Sequence, residues 1–278
     1  SGASIDYMSF LGYWDVGIDG MMNTEGYYLR VNENDELIIP GMPFDFSDGP
    51  LEIPLTQGWN MIGYPSQYPQ EAASVLSELI GEDDDGSLVK VISESGASID
   101  YMSFLNDWDY GIDYFEPGEG YYVRVNEVDT LSIGEGSEVF RLVNVKEIID
   151  PTYFQPSHVG NPYMPMNVCI TDATIDGKPI SHGMEIGIFD GDVCVGSAVF
   201  TKSLESQESY LSFPVSMDDP TTLIKDGYVP GNEIKVRIFD GFNEHEAFSD
   251  GFAFEQFGTQ VMAVDARSIP RVYVLHEN

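Results

Sequence analysis

Residues 1–11, SGASIDYMSFL, recur letter for letter at 95–105. The match continues at a constant offset of 94. WDVGID at 14–19 meets WDYGID at 108–113, EGYYLRVNE at 25–33 meets EGYYVRVNE at 119–127, and DELII at 35–39 meets DTLSI at 129–133. Over 1–40 against 95–134 there are 27 identities in 40 positions. Self-similarity at a fixed spacing is the mark of tandem modules, and it obliges any fold to accommodate the same stretch twice.

The second copy carries a segment that the first lacks. LTQGWNMIGYP at 55–65 reads as a strand ended by a proline turn. PQEAASVLSEL at 69–79 reads as a short helix, with Pro69 near its start and Gly81 just beyond its end. SLVKVISE at 87–94 reads as a further strand. The sequence is therefore expected to enter partway through a module. Four segments follow: a partial repeat at 1–43, a Pro/Gly-rich linker at 44–54, a complete repeat at 55–135 and a β-sandwich at 136–278. In YYVRV at 121–125, period-2 alternation places Tyr121, Val123 and Val125 on one, buried face.

Beyond residue 136 the pattern is strand after strand. VFRLVNVKEI at 139–148, MNVCITDATIDG at 166–177, YLSFPVSM at 210–217, QVMAVDA at 260–266 and RVYVLH at 271–276 alternate or run apolar. MEIGIFDGDVCVGSAVF at 184–200 and NEIKVRIFDGFNEHEAF at 232–248 each read as a hairpin turning at Asp-Gly. The fold class is all-β: a duplicated small β-rich repeat with one short helix, then an antiparallel β-sandwich.

Composition narrows the function. Of 278 residues 42% are hydrophobic, enough for a packed core. Lys plus Arg is 12 and Asp plus Glu is 47, a net charge of −35 that would repel a phosphate backbone or an anionic lipid surface. Nucleic acid is excluded as a partner. No run approaches ~18 uncharged apolar residues, so membrane insertion by a helix is not expected. Only two cysteines occur, Cys169 and Cys194, which is no disulfide scaffold and no zinc ribbon. They pair in one bridge between neighbouring strands or remain two buried thiols.

GWNMIGYP, then EPGEGYYVRV, then DTLSI resemble a repeat module of large secreted bacterial proteins, typically written GWNLIGYP, a glycine-rich GKGYWVKV and a TLTI strand. IDGKPISHGMEIGIFDGDVCVGSAVF at 175–200 and MDDPTTLIKDGYVPGNEIKVRIFD at 217–240 resemble the companion β-sandwich found beside those modules. Met184 departs from that pattern, which often has an acid there. VYVLHEN at 272–278 resembles the run-in to the type A sorting domain of the type IX secretion system; the sorting domain itself is not in this sequence. The resemblance implies export to the medium or the outer cell surface. It implies no catalytic activity.

The residues themselves select no catalytic site. There is no GxSxG and no HExxH, and none of His158, His182, His245 and His276 has a ligand-spaced partner. With 47 acids, carboxylate pairs carry no signal. Acid clusters at loop tips are candidate calcium ligands, since calcium wants six to eight oxygens. They are Asp83, Asp84 and Asp85 after the helix, Asp190 and Asp192 at a hairpin, and Asp218 and Asp219 in MDDPTT. Asx turns are the competing account, in which Asp bonds its own backbone. Among the aromatics of DWDYGIDYFEPGEG, Trp108, Tyr110, Tyr114 and Phe115 are candidates for stacking on sugar rings, against core packing. The expected function is a non-catalytic extracellular structural or adhesive module, with other copies of itself or a surface polysaccharide as partners. The alternative is a carbohydrate-binding accessory of a secreted polysaccharide-degrading enzyme.

Overall fold

The computed structural model describes residues 3–8, 10–31, 33, 35–81, 84–136, 149–204, 209–248 and 251–267. The strands expected at 139–148 and 271–276, together with His276 and Asp83, lie outside the described residues. In chain order the strands begin with a hairpin, β1 (Ile5–Met8) and β2 (Tyr13–Val16). Then come β3 (Leu51–Leu55), β4 (Gly58–Gly63), β5 (Gln70–Glu71), the α-helix α1 (Ala72–Ile80) and β6 (Leu88–Ser93). β7 (Ser98–Met102), β8 (Asp107–Tyr110), β9 (Tyr114–Phe115), β10 (Gly120–Val125) and β11 (Asp129–Ile133) follow. The rest is β12 (Met166–Ile175), β13 (Lys178–Pro179), β14 (Glu185–Asp190), β15 (Val193–Val199), β16 (Leu211–Val215), β17 (Lys235–Phe239), β18 (Glu244–Phe248) and β19 (Thr259–Arg267). The class is all-β.

Two compact units divide the chain: residues 1–93 with 112–140, and residues 94–111 with 141–278. In the first unit β10 lies between β4 and β6, antiparallel to both. Tyr121, Val123 and Val125 are buried, as the alternation requires. α1 buries Ala72, Val75, Leu76, Leu79 and Ile80, the apolar stripe of an amphipathic helix. It starts later than Pro69 because Gln70 and Glu71 pair with β9. It stops at Gly81, whose φ of 82° takes the backbone out of helical space while its N–H reaches Ser77 O.

The expected linker at 44–54 ends in a strand. Leu51–Leu55 is strand β3, paired antiparallel with β11, and Ile53 and Leu55 are core residues. Pro54 fits because β3 has a ladder partner on one side only, so its missing N–H breaks no sheet.

In the second unit one eight-stranded sheet runs β13-β12-β19-β18-β17-β14-β15, with β16 on the other side of β12. The sheet turns back on itself: Ser216 N–H donates to Val195 O at 2.8 Å, drawing the end of β16 to β15. The enclosed core includes Val168, Ile188, Val236, Tyr228, Phe254 and Val264. Both predicted hairpins form, and Gly191 takes a φ of 66° at the turn. The sandwich is not wholly antiparallel: β12 and β19 run parallel from Asn167↔Thr259 to Ile175↔Ala266. The antiparallel strands between them return the chain so that its last described strand enters beside β12 in the same direction.

The hairpin β7–β8 belongs to the second unit although its sequence belongs to the repeat. Val168 and Ile170 face the main core, so Asn167 and Cys169 point to the opposite face of β12. The hairpin covers that face. Asn167 Nδ2 donates to Gly96 O at 2.9 Å, and Thr259 Oγ1 donates to Asp100 at 2.9 Å. Tyr210 OH donates to Asp109, and Phe104 packs edge-on against the Tyr210 ring at 5.7 Å. Gly96 has a φ of 82°, and a Cβ there would sit 2.6 Å from Pro214 Cβ, so the approach needs glycine.

Candidate functional site

The two copies of the repeat build the same aromatic hairpin twice. In β1–β2 the cross-strand pairs are Ile5↔Val16, Asp6↔Asp15, Tyr7↔Trp14 and Met8↔Tyr13. In β7–β8 they are Ile99↔Tyr110, Asp100↔Asp109, Tyr101↔Trp108 and Met102↔Asp107. Each turn closes with the N–H groups of two successive residues donating to a methionine carbonyl, Met8 in one copy and Met102 in the other. Tyr7 and Trp14 meet edge to face at 5.4 Å, and Tyr101 and Trp108 at 5.8 Å. Such a pair holds its rings in a defined geometry and contributes about 0.5–1.5 kcal/mol beyond area burial. In the first copy the rings are 54% and 61% exposed; in the second Tyr101 is 40% exposed and Trp108 half-buried.

Like charges face each other at Asp6↔Asp15 and at Asp100↔Asp109, an arrangement that destabilises a bare hairpin. In the second copy the hydroxyls of Ser98, Thr259 and Tyr210 donate to these carboxylates. Burial, and then the hydrogen bond to Asp109, push the Tyr210 phenol well above its ordinary value, so it stays a donor. In the first copy Ser4 Oγ donates to Asp6.

The four sugar-stacking candidates differ in burial. Phe115 is fully buried, stacked on Tyr121 at 4.2 Å with an interplanar angle of 16°. It fills the core of the first unit and is unavailable to a ligand. Tyr114 is half-buried in β9 of that unit, whereas Trp108 and Tyr110 are half-buried in β8 of the second. The 74° between Tyr101 and Trp108 is an edge-on pair, not the coplanar surface that a row of sugars stacks on.

The acid clusters show backbone hydrogen bonds and two ion pairs, Asp190 with Lys225 and Asp192 with Arg237. Among the described residues no group of three or more His, Cys, Asp or Glu is placed to hold a metal ion. Asp190 is buried, and Lys225 Nζ lies 2.8 Å from it. Val229 N–H and Asn232 Nδ2 also donate to Asp190. Burial works against its charge, but these donors outweigh it and the pKa is lowered. Asp192, at the same turn, has a fully exposed side chain. Asp218 accepts from Asp226 N–H, and Asp219 from Thr221 N–H and Oγ1, which is Asx-turn geometry. Asp84 sits in the left-handed region at φ 58°, and Asp85 approaches Gly81. Within each cluster (Asp84 with Asp85, Asp190 with Asp192, Asp218 with Asp219) the described residues form no group of three or more placed to hold a metal ion.

No family model, curated protein or solved structure matches the chain.

The bridge between Cys169 and Cys194 is also corrected. Both are free and buried. Cys169 lies on β12 beneath the β7–β8 hairpin, and Cys194 on β15 among Phe154 and Phe189. β12 pairs with β13, β16 and β19, and β15 with β14, so the two strands are not neighbours. Burial pushes the Cys169 thiol up to about 12 and the Cys194 thiol up to about 11, which leaves neither as a thiolate at neutral pH. Two thiols per chain should titrate with Ellman's reagent in unreduced, denatured protein. No reactive thiol under those conditions would restore the bridge.

Sequence reasoning missed Glu185. Its carboxylate is buried and accepts Thr152 N–H, Thr152 Oγ1, Tyr153 N–H and Phe154 N–H, at 2.9–3.0 Å. An acid in the apolar run EIGIF was the available signal.

Proposed function

We propose that this chain is a non-catalytic structural or adhesive module of a secreted or surface-anchored protein. The observation that carries the reading is the aromatic hairpin made twice, with one register and one edge-to-face Tyr–Trp pair. A surface feature that is copied along a chain suits contacts whose strength comes from repetition, since linked weak contacts raise avidity by ~10²–10⁴. The net charge of −35 supports an exported protein that stays soluble at its site of action. Buried thiols with raised pKa values fit the same setting, because they resist oxidation outside the cell. The resemblance to secreted bacterial repeat modules points the same way.

The carbohydrate-binding alternative draws on one observation, the exposure of Tyr7 and Trp14. Beads coated with the chain and passed over a polysaccharide layer or a bacterial cell layer separate the readings. The adhesive reading expects retention on cells that soluble oligosaccharide does not displace and that falls about tenfold in the Trp14→Ala/Trp108→Ala double variant. Retention displaced by oligosaccharide favours the alternative. No retention on either layer removes the adhesive role.

A further inference from the structure

One segment of the second unit is held down by side chains rather than by strand pairing. Residues 150–157 form no strand, yet they lie across the outer face of the sheet. Ile186 and Ile188 face the main core, so Glu185, Gly187 and Phe189 line the opposite face of β14. The Glu185 carboxylate clasps the N–H groups of Thr152, Tyr153 and Phe154. Phe154 fills a notch over Gly187, where a Cβ would sit 2.8 Å from its ring. The Phe154 carbonyl accepts Ser197 Oγ at 2.8 Å. Tyr153 stacks flat on Phe239 at 3.8 Å, and its hydroxyl donates to Glu244 at 3.1 Å. At the far end Ser157 N–H donates to Cys194 O at 2.8 Å.

Two features set this segment apart from the sheet beneath it. Phe154, Phe189, Cys194 and Phe239 make a small apolar cluster, and none of them belongs to the main core. The segment also coheres in itself: Gln155 Nε2 donates to Pro151 O at 2.6 Å, and Tyr153 meets Phe154 edge to face at 5.0 Å. We infer that residues 150–157 are a releasable strap, which leaves the outer face as one piece while the eight-stranded sheet stays folded. Release gives up the Glu185 clasp and the small cluster. It breaks none of the pairings of β14 with β15 and β17.

The open strap uncovers an apolar trough floored by Gly187, Phe189 and Phe239, with the Cys194 thiol beside it. The fold thus holds a covered surface whose exposure is set by the strap and not by global unfolding. Segments that open at less than the global free energy are the usual source of such exposure. In the closed state burial pushes the Cys194 thiol up to about 11, so at neutral pH it reacts when the strap is open. The strap lies wholly within the second unit and holds whether or not the chain is adhesive.

The test uses the full chain, with Cys194 as the reporter. N-ethylmaleimide labelling is followed at urea concentrations below the unfolding transition, and peptide mass spectrometry assigns the label to each cysteine. Amide hydrogen exchange is read in the same solutions. Cys194 should label about 100-fold or more faster than the slowest amides of β14 and β17 allow by global opening. Its urea slope should be a small fraction of theirs, because the slope follows the surface exposed. The amides of 152–154 should open with the same free energy as Cys194. Phe154→Ala should speed Cys194 labelling about 100-fold and keep a cooperative melt. Labelling of Cys194 with the full urea slope, in step with the slowest amides of β14 and β17, overturns the inference. So does a Phe154→Ala chain that has lost the sheet, because strap and sheet would then be one cooperative unit.

Discussion

Val123→Asp should unfold the complete repeat, and Leu29→Asp, at the same position of the other copy, should leave its melting unchanged. Val123 is the centre of β10, fully buried between β4 and β6. A carboxylate there is taken out of water and removes an apolar contact, a combination that costs about 4 kcal/mol or more. Leu29 is 58% exposed, so the same charge stays in water and changes stability by within about 0.5 kcal/mol. Thermal melts of the two variants beside the parent decide the matter. Equal destabilisation would mean that residues 27–31 are packed in solution.

The second large effect belongs to Glu185. Glu185→Ala removes the acceptor of three backbone N–H groups and one hydroxyl, all from residues 152–154. Buried donors left without a partner cost about 1–3 kcal/mol each, and partial access to water at the loop reduces the sum. A loss of about 3–5 kcal/mol is expected, read as a lower urea midpoint with an unchanged slope. The pH dependence follows from the same bonds. Burial alone would raise the Glu185 pKa, but the N–H groups of Thr152, Phe154 and Tyr153 outweigh it and hold it below 4.5. A carboxylate depressed in the folded state contributes its full stability above the unfolded value. It loses that contribution as pH falls through the folded one. The parent should therefore lose part of its stability below about pH 4.5, and the variant should lack that part. A Glu185→Ala profile parallel to the parent through this range would contradict the assignment.

The hairpins at Asp190-Gly191 and Asp240-Gly241, the short helix and the inward set of Tyr121, Val123 and Val125 were all legible in the sequence, because each is written in local turn chemistry or local periodicity. What stayed hidden depends on distant partners. LEIPL looked like a joint because Pro50 and Pro54 resemble turn residues, and only its pairing with 129–133 makes it a strand. The parallel pair β12–β19 joins segments about ninety residues apart, and no local signal announces direction. The acids of DGD and MDDPTT looked like calcium ligands because sequence shows the carboxylates and not the lysine or the amide hydrogens that occupy them. Phe115 looked like the other aromatics of DWDYGIDYFEPGEG, yet a ring stacked on Tyr121 is core. The opposite fates of Val123 and Leu29 are the clearest case, since identical surroundings in sequence give no hint that one copy has a cover and the other none.

The hairpin β7–β8 has a consequence for where this chain can be cut. It was copied with the repeat, but Asn167, Thr259 and Tyr210 hold it to the sandwich, with Cys169 beneath. The hairpin that duplication copied thus also holds to side chains outside the repeat. A fragment trimmed at the border of the repeat, near residue 136, would bare the outer face of β12 and open Cys169 to oxidants. One beginning at residue 94 keeps that face closed, with the 112–140 stretch carried as a passenger. Shuffling whole repeats along such a chain would likewise bring a new tile to the sandwich each time, and only a hairpin with glycine and aspartates at the places of Gly96, Asp100 and Asp109 would seal it.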